Sequence, residues 1–336
     1  MLSWLAPPLL LRLSLCLNWS EPAGPVATVD RRIAAMGTLL SVSVTAGSRA
    51  GALAASEAAA REIARVENLL STWKAGGPLD RLNHARPGEP VALGPEVSRL
   101  LSEMFAWCGR TDGAFDPTVL PLVLAYDLRG SGRLPDAALL ARAREATGRG
   151  CFALDPGGGS AVRLCADAGI DEGAWGKGYA LDKAAEALKA AGTRDAQLDL
   201  GGQVFVRGPA RAVAVADPRD RRRIAATLAV AEASVSTSGN SERGREVDGI
   251  RIGHLLDPRT GRPAADFGSA TAVAPSGLVA DVLSTAFFVL GPEKGLALSE
   301  QLRREGFENR ALFLVVRGGQ LAVLASPGLD VTLVEE

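Results

Sequence analysis

The sequence predicts an α+β fold of mixed, largely antiparallel sheets with packed helices, forming one compact unit over residues 26–336 behind a leader at 1–25. Three observations carry this reading. Short β-rich runs and amphipathic helical stretches are interleaved without the regular βαβ alternation of a doubly wound sheet. No stretch reads as a linker between separate cores, and no repeat is evident. With 47% hydrophobic against 22% charged residues in 336 positions the chain can bury a substantial core, while 38 Gly and 19 Pro imply many turns.

The elements follow in order. Residues 38–45 alternate Leu40, Val42 and Val44 with Ser41, Ser43 and Thr45, the period of a half-buried strand. Over 53–70 the period becomes helical: Ile63, Val66, Leu69 and Leu70 share a face, and Glu57 stands four residues before Arg61. Pro95 opens a stronger helix on which Val97, Leu100, Leu101, Met104, Phe105 and Cys108 form one stripe. Pro135 and Pro292 start shorter helices by the same first-turn logic, and a helix over 176–191 ends at Gly192. Strands are expected at 196–200, 203–207, 211–217, 227–231, 269–274, 311–316 and 320–325, the last two joined through Arg317, Gly318 and Gly319 as a hairpin. The charged run 217–223 reads as a solvated turn.

Charge and composition narrow the function. With 37 Lys and Arg against 38 Asp and Glu the formal charge is −1, which excludes a basic binder of nucleic-acid polymers. No apolar run approaches the roughly 18 to 20 residues of a membrane span, which excludes a polytopic membrane protein. Residues 1–25 are apolar and then polar, like an export signal, although Arg12 interrupts them; the alternative is an amphipathic or unstructured leader. Cys16 follows Leu15 where a lipoprotein signal has small residues, so acylation is not expected. Cys151 and Cys165 lie equidistant from Gly158; across a symmetric hairpin they would face each other, as a disulfide or as two buried thiols.

Two His, two Tyr and four Cys leave few sites for imidazole, phenol or thiolate chemistry. Five clusters combine glycine with an acid, a base or a hydroxyl: MGT at 36–38, GAFDPT at 113–118, DEGAWGKGYALD at 171–182, HLLDPRTGRP at 254–263 and ADVLST at 280–285. Asp281 and Thr285 share a helix face, and two hard oxygens suit Mg2+ or Ca2+; alternatively Asp281 pairs locally and Thr285 packs. The turn before residue 176 presents N–H groups and Lys177 to a phosphate, without Walker spacing, while Asp171 is either a ligand contact or a capping acid. His254 is a proton carrier or a hydrogen-bonded turn residue, and His84 reads as exposed. Phe115, beside Asp116, can line a cleft for a planar ring, and Trp73 can stack on one or belong to the core.

In this order the clusters resemble the ApbE family of FAD:protein FMN transferases. The resemblance spans about residues 31–325 and is carried by Met36, residues 71–73, 113–118, 171–179, 200–202, 237–239, 254–261 and 280–285. It implies an ApbE-like fold, Mg2+, FAD as substrate, and transfer of the FMN half of FAD to a Thr or Ser of a client protein with release of AMP. Family membership further implies that Asp281, Thr285 and the Ala174 carbonyl hold the metal, and that Met36, Trp73, Ala114, Phe115, Asp116, Asp171, Lys177 and Leu255 line the FAD pocket. His254 is then the candidate base for the client hydroxyl, with Asp257 as the acid that would orient it. Trp73 stands where the family often has Tyr. Relatives are commonly exported, which implies a periplasmic or inner-membrane-facing protein, with membrane association through the client or the leader. The alternatives are hydrolysis of FAD to FMN and AMP, or a flavin-binding protein without activity.

Overall fold

A computed structural model describes residues 26–240, 244–247 and 249–334; the expected leader at 1–25 lies outside them. Eight strands form the main sheet: β1 (Ala27–Ala35), β2 (Thr38–Ala46), β3 (Asp195–Leu200), β4 (Gln203–Arg207), β5 (Ala233–Gly239), β6 (Gly268–Ala274), β7 (Arg310–Arg317) and β8 (Gln320–Ala325). Each pairs antiparallel with the next, so the sheet is a meander in chain order. Three of its hairpins close with two residues at positive φ, Met36-Gly37, Gly201-Gly202 and Gly318-Gly319, the turn whose twist matches that of the strands.

The connections carry the helices: α1 (Arg49–Leu70), α2 (Pro78–His84), α3 (Gly94–Arg110), α4 (Leu120–Ala125), α5 (Ala137–Glu145) and α6 (Gly176–Ala190) between β2 and β3, then α7 (Gly277–Leu290) and α8 (Pro292–Arg304) between β6 and β7. Burial explains the sheet's sidedness. Leu40, Val42 and Val44 of β2, with Ala196, Leu198 and Leu200 of β3, face the helical core with Ile63, Val66, Leu181 and Phe287, while Ser41 and Ser43 lie on the other side. β7 is covered on both faces: Ala311, Phe313 and Val315 join that core, and Leu312 and Leu314 pack with Val213, Val215 and Leu228 of a small sheet (Arg211–Ala216, Ile224–Val230, Val331–Leu333). A third cluster, Leu122, Ala125, Tyr126, Ala143, Ile252 and Leu256, ties α4 and α5 to the segment around His254.

The α+β architecture is as predicted, with local differences. Pro135 does not start α5; Asp136 caps it through Leu139 N–H, and Pro135 precedes the cap. The hairpin of Phe152–Asp155 with Ser160–Arg163 centres between Gly157 and Gly158, half a residue from the expected point. Cys151 and Cys165 flank the strands and form a disulfide, with Cα atoms 5.0 Å apart. None of the helices among the described residues is long and apolar enough to cross a membrane.

Candidate active site

Segment 171–182 meets a different neighbour at each end. A Cβ on Gly178 would stand 2.2 Å from the Gly277 carbonyl oxygen and 2.8 Å from the Asp281 Cβ, so α6 and α7 touch backbone to backbone. Gly178 N–H donates to Asp281 Oδ2 at 3.0 Å, and no described backbone N–H outside the regular elements donates to the Ala174 carbonyl. α7's carboxylate therefore sits at the start of α6, where it takes up the Gly178 N–H while the Gly176 N–H donates to the Glu172 carbonyl. Farther along the same interface Asp182 returns the contact. It accepts from Ser276 Oγ, Gly277 N–H and Leu278 N–H at the start of α7, while burial pushes its carboxyl above the usual range.

Around Asp281, only 4% exposed, lies a shell of hydroxyls. Ser284 Oγ is 3.1 Å from Ser236 Oγ and 3.0 Å from Ser238 Oγ, and Ser238 Oγ is 3.4 Å from Thr285 Oγ1. Lys177 Nζ is 3.7 Å from Asp281 Oδ1. No group of three or more His, Cys, Asp or Glu side chains suited to a metal occurs among the described residues. One carboxylate with neutral oxygens fits a hard cation that takes its remaining ligands from water and phosphate.

At the other end of the segment, Asp171 receives Arg129 Nη2 at 2.6 Å and Gly173 N–H at 2.8 Å. The neighbouring Glu172 binds Thr72 through its N–H and hydroxyl, and its carboxyl is pushed up by burial and then by Asp171. Trp73 is 67% exposed and lies against the Arg129 guanidinium, 4.4 Å from ring centre to carbon. It is not a core residue.

The GAFDPT loop adjoins this cluster, since Asp171 N–H donates to the Pro117 carbonyl. Ala114 and Phe115 are both 1% exposed. Phe115 belongs to the main core, so its ring does not line an open cleft as expected; packing consumed the surface that stacking would need. Asp116 accepts from the N–H and hydroxyl of Thr118, with its carboxyl raised by burial. Beside it burial and Asp116 push the Cys108 thiol up to about 12, which leaves no reactive thiolate.

Met36 has φ 50, unusual for a residue with a side chain, and its Cε lies 3.7 Å from where a Cβ of Gly176 would be. The His254 segment meets the end of β5. A Cβ on Gly253 would meet the buried Asn240 side chain at 2.5 Å, and Asn240 follows β5 directly after Ser238 and Gly239. Leu255 is half-buried against the main core, and its carbonyl accepts from Ala264 N–H. Asp257 is committed to its own turn: both its oxygens accept from Arg259, which itself packs on Gly113. An orienting role toward His254 would have to share those oxygens.

The structure thus gathers Ala174, Lys177, Asp281 and Thr285 at the α6–α7 contact, and Trp73 with Asp171 around Arg129. Thr72 and Ser238 lie within motifs at 71–73 and 237–239, and Asp182 closes the 171–182 cluster, so the glycine and hydroxyl pattern of those stretches is the signal that marks all three. Arg129 carried no signal, because its partners are 57 and 42 residues away in the chain. Two open concavities of about 490 and 480 Å3 lie elsewhere, on the polar face of β1–β3 beside Arg32 and Asp199 and at the end of α1 beside Lys74 and Gly77.

A family model described as the ApbE family matches residues 36–308. The chain is 32% identical over 327 residues to an FAD:protein FMN transferase of Klebsiella pneumoniae, covering 92% of this chain and 90% of that one. It is 34% identical over 258 residues to a protein of the same name from Treponema pallidum, covering 69% and 70%. Among solved structures, the ApbE protein of Thermotoga maritima superposes with a TM-score of 0.81 at 28% identity, over 90% of this chain and 97% of that one. The apo form of the Pseudomonas stutzeri flavinyl transferase ApbE gives 0.77 at 27%, over 90% and 95%.

Proposed function

Because this chain belongs to the ApbE family, we infer that it transfers the FMN moiety of FAD to a client protein. The observation that carries the assignment to this site is the junction of α6 and α7, where Asp281, Lys177 and the N-terminus of α6 converge. Breaking a pyrophosphate calls for charge neutralisation and in-line positioning more than for a nucleophile from the enzyme. Lys177, at the start of α6, supplies the first from the chain itself.

We propose Mg2+ as the metal, held by Asp281, Thr285 and the Ala174 carbonyl; bound there it would neutralise phosphate charge. The acceptor is a Thr or Ser hydroxyl of the client. Its oxygen forms a bond to the phosphorus of the FMN half while the bond from that phosphorus to the bridging oxygen breaks and AMP leaves with that oxygen. His254 takes the hydroxyl proton. Met36, Trp73, Ala114, Phe115, Asp116, Asp171, Lys177 and Leu255 are proposed to border the FAD pocket. Export to the periplasm, facing the inner membrane, is supported by the Cys151–Cys165 disulfide, which persists in an oxidising compartment. Membrane association would then come through the client or the leader.

The test is to incubate the protein with FAD, Mg2+ and a client carrying an acceptor Thr or Ser, and to weigh the client. A mass gain of one FMN moiety, FMN less one water, abolished by chelating the metal, is expected; metal-dependent AMP release without an adduct would make the protein an FAD hydrolase, and neither product would leave a flavin binder. His254→Ala should slow FMN transfer at least about a hundredfold while FAD binding persists. Transfer at the normal rate would remove His254 from the mechanism.

A further inference from the structure

We propose that Arg129 is a positioning residue that fixes Trp73 as a preformed platform for a ring of FAD; this rests on the FAD-dependent function proposed above. Residues 71–76 follow α1 as irregular chain; Ser71 Oγ accepts from the N–H groups of Trp73 and Lys74, whereas the carbonyl and hydroxyl of Thr72 need partners from elsewhere. Arg129 supplies them. Its Nη1 donates to the Thr72 carbonyl at 3.1 Å, and its Nη2 donates to Thr72 Oγ1 at 2.7 Å and to Asp171 Oδ2 at 2.6 Å. Thr72 in turn donates through its N–H and its hydroxyl to Glu172. Thr72 is therefore gripped from both sides by charged groups, and the next residue, Trp73, has little freedom at its backbone.

The guanidinium then covers one face of the indole, 4.4 Å away. A planar fork stacked on an aromatic face is a favoured arrangement for Arg and is not reproduced by Lys. With one face occupied, Trp73 is still 67% exposed, so the remaining face is presented to solvent in a fixed orientation. The Arg129 Nε is buried without a hydrogen-bond partner among the described residues, so its place depends on the three bonds and the ring alone. The same guanidinium pairs with Asp171, itself among the proposed FAD contacts, so one residue sets two walls of the pocket. An exposed indole free to swing would lose side-chain entropy on stacking with a ligand, whereas a held one has already lost it.

The proposal predicts weaker FAD binding with little change in turnover. Arg129→Lys keeps a cation beside Asp171 and removes the fork, and Arg129→Met removes both. Expected for each is a rise of about tenfold or more in the Kd and KM for FAD, with kcat, followed as AMP release, within about twofold, the pattern of lost uniform binding. Trp73→Ala should raise Kd by a similar factor, and the double variant Trp73→Ala/Arg129→Lys should be no weaker than the worse single one, because Arg129 acts through Trp73. Should Arg129→Met fail to fold, Arg129→Lys with a thermal unfolding control carries the test. Unchanged Kd in a folded Arg129→Lys protein, a loss confined to kcat, or fully additive losses in the double variant would each overturn the proposal while leaving the function standing. Wild-type protein that binds no FAD would overturn both.

Discussion

Gly178→Ala is expected to lower folding stability by about 3 kcal/mol and to remove FMN transfer. The added methyl would meet the Gly277 carbonyl oxygen at 2.2 Å and the Asp281 Cβ at 2.8 Å. Neither is the end of a flexible side chain, so α6 and α7 must separate. Overpacking of this kind costs about 1–3 kcal/mol. Separation also strips Asp281 of the Gly178 N–H bond at 3.0 Å, a bond to a buried carboxylate that contributes about 1.5–3 kcal/mol. The same movement draws Asp281 away from Ala174 and Lys177, so activity should fail even where folding survives. Gly176→Ala is the milder comparison: its nearest contacts, Glu172 Cγ at 3.2 Å, Glu172 Cβ at 3.3 Å and Met36 Cε at 3.7 Å, all lie beyond 3.0 Å and call for a shift of only a few tenths of an ångström. Denaturant unfolding and client mass would be measured for both variants; a Gly178→Ala protein as stable and active as wild type would refute this account of the interface.

Replacing Cys151 and Cys165 together by Ser is expected to lower stability by a comparable amount, about 3 kcal/mol, because the bond closes a loop with sequence separation 14. The effect should reach the site. Four residues after Cys165 the chain forms a parallel bridge between Gly169 and Val119, and Asp171 then bonds the Pro117 carbonyl. Freed of the crosslink, that stretch has more conformations to lose before Asp171 meets Arg129. Unfolding in oxidised and reduced buffer should differ for the wild type and coincide for the double variant, and reduction should add the mass of two hydrogens to the wild type alone. Identical unfolding of oxidised and reduced wild-type protein would show that the crosslink adds nothing.

Much of the frame was legible because its signals are local. β2 alternates and was found; β7 is an unbroken apolar run because two layers cover it. β1 was missed, since Asp30, Arg31 and Arg32 interrupt any alternation on an edge strand whose outer face meets water. α2, with 7 residues, and α4, with 6, are too short to show a period. In the site, the glycine, acid and hydroxyl clusters marked the chain near Asp281 and Asp171. What they could not show was how distant stretches meet: the grip of Arg129 on Thr72 and Asp171, the clasp of Asp182 on α7, or the burial of Phe115, each of which depends on tertiary packing.

The chain-order meander also bears on how the molecule comes apart. The hairpins β1–β2, β3–β4 and β7–β8 close over two residues and can form by local pairing, whereas β3 can join β2 only after everything from α1 to α6 has been drawn in. Trp73, Arg129 and Asp171 all sit in that long excursion, and Asp281 and His254 in two later ones. Binding competence thus depends on the segments whose ordering costs the most loop entropy, while the sheet hairpins depend on it least. In mild denaturant the amides around Arg129 and His254 should exchange with solvent before those of β7, leaving a pleated frame that no longer holds its ligand.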